Sequence, residues 1–435
     1  MASETFTTDV AQRLGGPDWL RDRRVAAAVL GADTPAPTTE SEEWRYSRIG
    51  DLELDRYSLL EPDTEPVGPV PDAAVALLGE LGAVAGAVVV HNGRIISTVL
   101  DERLRDSGVP FGAAGSGPEG VLGAAMPSPH DLFAVYNDAF GADPVVLDVP
   151  RNLVVNLPFA VITYADADGS FTLPRLSVRA GENSQFSFVE VSSSAAVEAL
   201  VAPVTEVTVG NAARVRHSSL QDVGPKVWHI GSFVAEVGQD ATLDAAVAAL
   251  GGSYARTRLD CRLVGRGATG NLSSVYFGDH DQMLDLRTFQ EHRAPDTTSN
   301  LLFKGAVADH SHSVYTGLIR IKPEGRGSNA VQTNRNLKLS DHAWAESVPN
   351  LEIENNDVHC AHASTVGPVD EEQRFYVESR GVPSIVAERL IVAGFFDEVL
   401  DSLAVPALAP AARRRVNALL DRQVGVLTAH VSDRA

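Results

Sequence analysis

The spacing of apolar positions along the chain changes twice, near residue 150 and near residue 369. Over 1–149 it alternates between helical and strand-like. A helix is predicted from Pro17 and Asp18, with Leu20, Val25 and Leu30 on its apolar side and Gly31 as its stop. Residues 32–43, rich in Pro and Glu, read as a loop leading into Trp44-Arg45-Tyr46. A short helix is expected over 72–81, stopped by Gly82, then a strand pattern within 88–100 and a helix over 130–141. These elements make an N-terminal α/β region.

From Pro150 the helical period disappears for about two hundred residues, and short runs of β-formers follow one another. Leu176, Val178 and Ala180 alternate with polar residues; Val207 and Val209, then Trp228 and Ile230, continue the pattern. Leu259, Cys261 and Leu263 alternate with Asp260 and Arg262. Glycines such as Gly210, Gly238, Gly265 and Gly317 punctuate the runs at short, irregular intervals. A β-sandwich, a barrel and a β-helix all fit this texture. The length of 150–368 favours the solenoid, which grows by stacking coils and needs only a cap at each end. The glycines give no fixed repeat.

Helical spacing returns over 369–435. Asp370-Glu371-Glu372 supplies an acidic first turn, Gly381 a stop and Pro383 the start of the next helix. That helix carries Ile385, Val392, Phe396, Val399 and Leu403 as a near-heptad stripe, with Leu390 and Phe395 on another side. A third helix, over about 411–429, presents Val416, Leu419, Leu420 and Leu427. The plain reading is that these helices pack on one another; the sharper one is that part of the stripe docks a partner.

Composition narrows the function. The formal charge of −21 argues against a nucleic-acid or anionic-membrane surface and suits a basic protein partner. No apolar run reaches the roughly 18 residues of a membrane span. Met1-Ala2-Ser3-Glu4-Thr5 lacks the basic start and apolar core of a secretory signal, and two cysteines make no disulfide framework, so a cytoplasmic protein with free thiols is expected. Neither a phosphate-binding P-loop nor a Gly-x-Ser-x-Gly elbow occurs, so ATP hydrolysis must come from elsewhere and acyl transfer has no support.

The densest chemistry is Asp357-Val358-His359-Cys360-Ala361-His362. As a strand it would put Val358, Cys360 and His362 on one face, and Asp357, His359 and Ala361 on the other. A thiolate and an imidazole two residues apart can share a proton or a metal, but a closed metal site usually needs four ligands. Asp357 and His359 are read as structural. Cys261, between Leu259 and Leu263, reads as core packing, and Asp279-His280-Asp281 as a solvated loop. His310 and His312 would share a face if extended, without a nearby cysteine or carboxylate partner.

Several motifs in order resemble the SufD branch of the SufB/SufD family of iron–sulfur cluster assembly proteins. They include Glu43-Trp44-Arg45-Tyr46, Gly251-Gly252 followed by Arg256, and His292-Arg293-Ala294-Pro295. Further along come Gln332 to Ser340, Pro349-Asn350-Leu351-Glu352-Ile353, the segment around Cys360 and His362, Glu372 to Tyr376, and Ser379-Arg380-Gly381. Thr333 and Asn334 stand where the SufB pattern has a cysteine, and His362-Ala363-Ser364 replaces its His-Glu-Ala; the Cys-x-His pair fits the SufD pattern, with Ala363-Ser364 in place of the usual Gly-Ala.

The resemblance implies a right-handed parallel β-helix between an N-terminal α/β region and C-terminal helices. It implies a non-enzymatic scaffold that pairs with SufB through one end of the β-helix and carries the ATPase SufC on its C-terminal helices. Cys360 and His362 are then candidate ligands of iron or a nascent cluster at the SufB interface, with no tightly bound cofactor. Ile385, Val392, Phe396 and Val399 are candidate SufC contacts; the oligomer formed without SufB stays open, a homodimer mimicking the SufB pairing being one form. Two rivals are weighed: a purely architectural subunit, and a carbohydrate-active β-helix enzyme, for which no ladder of acidic residues is found.

Overall fold

In the computed structural model, which describes residues 6–59 and 69–432, with the side chains of 424–432 outside the description, the chain is mainly strand. Leu427 therefore lies outside the described side chains. Two long sheets face each other, and from Val204–Val209 onward consecutive strands alternate between them. One runs in register from Val145–Val149 through Tyr254–Leu263 and Met283–His292 to His312–Ile321 and Trp344–Ile353. The other runs from Gly86–His91 and Phe159–Ala165 through Thr298–Val307 and Asn329–Lys338 to His359–Gly367. The stacked strands are parallel, so this is a β-solenoid of about eight turns.

The coil has a clear period where its turns need left-handed backbone. Asn152, Asn183, Ala212, Asp240, Gly267, Asp296 and Gly327 all have positive φ and occupy equivalent turns, one per coil. Each donates its backbone N–H to the turn of the coil above, from Asn152 to the Glu182 carbonyl through Gly327 to the Asp357 carbonyl. Asn, Asp and Gly tolerate this conformation, and the repeated ladder satisfies turn amides that would otherwise be orphaned.

Three apolar layers result. The lumen holds residues such as Phe186, Val207, Val237, Leu243 and Cys261. On the outer face of the first sheet, Trp44, Ile49 and Phe133 from the N-terminal region, together with Phe171, cover Trp228, Tyr254, Met283 and Val314. On the outer face of the second, Asp72–Leu81 and the helices Ser384–Leu400 and Ala409–Ser432 cover Val189, Leu220, Val275 and Phe277. Burial on both faces suits a parallel sheet.

Local signals mostly act where expected. The helix Asp72–Leu81 ends at Gly82, whose φ is 73°. Asp131 caps Leu132–Phe140, and Asp370 caps Glu371–Glu378. Gly31 is a correction: Asp18–Asp33 runs through it, and a Cβ there would meet Tyr136 and Val135 at 3.3 and 3.4 Å, so Gly31 serves helix packing rather than helix stopping.

Ala212 is exposed and is the one column member with neither a side-chain amide or carboxylate nor glycine's freedom. Ala212→Gly should stabilise the fold by about 0.5–1 kcal/mol, measured as a higher denaturant midpoint; a lower midpoint would contradict the turn assignment.

Candidate functional site

Parallel pairing leaves one end of the solenoid unfinished. At the other end an antiparallel strand follows the first parallel strand of each sheet, Arg94–Leu100 on Gly86–His91 and Phe111–Ala113 on Val145–Val149. Ile95, Leu100 and Leu104 pack against the lumen core there. Among the described residues, Trp344–Ile353 and His359–Gly367 each pair on one side only. Their outer edges carry free backbone donors and acceptors, which another strand can take up.

Cys360 and His362 stand on this last coil. Cys360 pairs in register with Ala330 and His362 with Gln332, both of which are buried and face the lumen. The two side chains therefore share the lumen face at its open end. Cys360 is half-buried and packs with Val358 against Ile319, Ile321 and Ala330, and burial pushes its thiol pKa up. His362, one step further along and with no coil above it, is exposed. The strand begins at His359, so Asp357 belongs to the turn, where it takes the Arg326 guanidinium at 2.9 Å and accepts the Gly327 amide.

Below this pair the lumen becomes polar, which the sequence patterning did not disclose. Tyr276 donates to Asn336 (2.6 Å), Asn336 to Asn334 (2.7 Å) and Asn334 to Tyr276 (2.8 Å). Ser347 donates to Asn334 (2.8 Å) and Ser364 to Ser347 (2.6 Å), carrying the network to the open end. Gln332, directly below His362 and 1% exposed, has both amide atoms buried without a hydrogen-bond partner. Buried unpartnered amides are costly and mark a place that water or a ligand group can fill. Alternating amides at 332, 334 and 336 were the available signal, but polar alternation ordinarily reads as a solvent face.

The other candidates separate from this end. Cys261 is buried in the lumen, its thiol pushed up to about 12 by desolvation, consistent with packing. His280 occupies a left-handed turn and its backbone N–H donates to Asp309, while Asp279 binds the Arg422 guanidinium at 2.9 Å. His310 and His312 do not share a strand face: the strand starts at His312, and His310 lies in the turn, stacked on His342 at 5.0 Å. A distant lumen cavity of about 90 Å³ holds Glu190, bonded to Thr205 and His217. No group of three or more His, Cys, Asp or Glu among the described residues could hold a metal ion, so Cys360 and His362 form at most part of a coordination set.

The expected docking stripe needs correction. Val392, Phe396 and Val399 are buried against the solenoid, with Phe396 stacked on Phe277 at 5.9 Å. Ile385 is half-buried beside Leu339 and Leu420. The outer sheet face claims that side of the helix. Among the described residues of the C-terminal helices, the exposed large apolar side chains are Phe375 (72%), Tyr376 (60%), Leu390 (49%) and Val386 (39%).

Residues 162–395 match the family described as SUF system FeS cluster assembly, SufBD core domain. The chain is 31% identical over 334 residues to an iron-sulfur cluster assembly SufBD family protein of Mycobacterium tuberculosis, covering 75% of this chain and 78% of that one. It is 31% identical to a Mycobacterium leprae protein of the same description, covering 78% and 85%. A Staphylococcus epidermidis SufBD family protein is 22% identical over 91% of this chain and 88% of its own.

The burial of the two thiols predicts their order of reaction. Iodoacetamide should label Cys360 in the folded protein, with a rate still climbing above pH 9 because the raised pKa delays thiolate formation, and should reach Cys261 only after unfolding. Native labelling of Cys261, or a Cys360 rate that levels off below pH 8, would contradict the placement.

Proposed function

The chain belongs to the SufBD family of iron–sulfur cluster assembly proteins, and from that premise we propose that it is a SufD-type scaffold subunit whose open solenoid end pairs with a SufB-like subunit. The observation that carries this reading is the coincidence of two free strand edges with Cys360 and His362 on the same coil. The free edges offer main-chain hydrogen bonds to a partner that continues the sheets. The thiol and imidazole offer soft and borderline ligands to iron or a nascent cluster, which is the cargo of the assembly. Two ligands hold such cargo weakly, and the partner's residues complete the set, which suits a cluster that must leave.

The raised pKa of Cys360 adds a chemical condition. The thiol is protonated near neutral pH until a metal displaces its proton, so loading releases a proton and weakens as pH falls. The SufD assignment rests on Thr333, Asn334 and His362-Ala363-Ser364, which depart from the SufB pattern. Docking of a SufC-like ATPase is assigned to the exposed Phe375, Tyr376, Val386 and Leu390 in place of the buried stripe. Without a SufB-like partner, a second copy of this chain can meet the same edges and give a homodimer.

The packing of Cys360 on Ile319, Ile321 and Ala330 favours a second reading, in which the subunit is architectural and supplies no ligand. Reconstitution with SufB and SufC separates the two. Cys360→Ser and His362→Ala should each lower cluster formation about tenfold or more while the complex keeps its mass; full activity in both variants would sink the ligand role. In the same mixture, Phe375→Asp with Tyr376→Asp should release SufC without unfolding the solenoid, and unchanged SufC binding would refute that surface.

A further inference from the structure

The Trp44-Arg45-Tyr46 segment has a feature that cluster chemistry does not use. Its backbone is fastened to the first sheet: Arg256 donates to the Glu43 carbonyl at 2.7 Å and Arg287 to the Arg45 carbonyl at 2.6 Å. Trp44 points inward, 3% exposed, whereas Tyr46 is held at a φ of 65° and left 53% exposed. A bulky side chain in left-handed backbone is costly, so the fastening holds Tyr46 outward against a conformational penalty.

Tyr46 faces the end of a column on the outer sheet face. Tyr254, Met283, His312 and Trp344 follow one another in register across successive coils. The N-terminal region covers Tyr254 and Met283 but stops short of Trp344, which is 56% exposed. Between Tyr46 and Trp344 lies a pocket of about 340 Å³ with Val314 and Glu346 among its walls.

The same sheet face shows what such an arrangement takes. Arg256, Asp285, Val314 and Glu346 form the neighbouring register column. Near its start, the Arg256 guanidinium lies 3.9 Å over the Trp44 ring and pairs with Asp285 at 2.5 Å. An aromatic ring and a carboxylate thus hold a guanidinium between them, an arrangement that favours planar Arg over Lys. Near its end, Tyr46, Trp344 and Glu346 repeat the aromatic-plus-carboxylate pattern, and none of the residues lining this pocket is Lys or Arg. We infer that this pocket receives an arginine side chain from a partner protein. The net charge of −21 favours approach of such a partner, and the inference stands apart from any ligand role of Cys360.

The test uses the full chain and a peptide, acetyl-Gly-Arg-Gly-Arg-Gly-amide, carrying a neutral dye and followed by anisotropy near pH 8. In about 0.15 M salt, long-range attraction to the acidic surface is screened. Saturable binding is expected, weakened about tenfold in Trp344→Ala and in Glu346→Gln, and absent for the citrulline peptide, which keeps the shape and loses the charge. Tyr46→Ala probes the same pocket from the other wall should Trp344→Ala fail to fold. Absence of binding, equal affinity across the variants, or equal binding of the citrulline peptide would overturn the inference.

Discussion

A parallel solenoid satisfies the backbone of each coil with the coil above it, so the stack must be finished by something. At the N-terminal end the chain does this itself, with antiparallel strands and the apolar side chains of Ile95, Leu100 and Leu104. At the other end it does not: Trp344–Ile353 and His359–Gly367 keep one open edge each. Side-chain burial follows the same asymmetry. Lumen positions filled by Phe186, Val207 and Leu243 in early coils become Gln332, Asn334, Ser347 and Ser364 near the open end.

This asymmetry gives Cys360 and His362 their meaning. A Cys-x-His pair inside a finished stack would be two buried side chains without further ligands. On the last coil the same pair lines the open mouth of the lumen, with Cys360 half-sheltered and His362 exposed. Gln332 below them, with neither amide atom partnered, keeps the floor of that end polar. Open sheet edges and a thiol–imidazole pair in one place suit the proposed role of a scaffold that works at a subunit interface.

The sequence disclosed the fold class and the two changes of texture because periodicity is a local property. Asp72–Leu81 was readable to the residue from Asp72 and Gly82. The repeat was hidden because turn glycines such as Gly265 were read together with strand glycines such as Gly317, whose missing Cβ makes room for Tyr315 and Gln332. The turn column of Asn152, Asn183, Asp240, Asp296 and Gly327 carried the period instead. The docking stripe was misplaced for a different reason: a helix with two apolar sides does not say which one meets the sheet, and Phe277 decided it by stacking on Phe396.

In the proposed function, the last coil is an interface. Hydrogen–deuterium exchange of the full chain, alone and mixed with a SufB-like partner, tests it directly. Slowed exchange concentrated in Trp344–Ile353 and His359–Gly367 is the predicted result. Complex formation with those two strands unchanged and protection confined to other surfaces would contradict it.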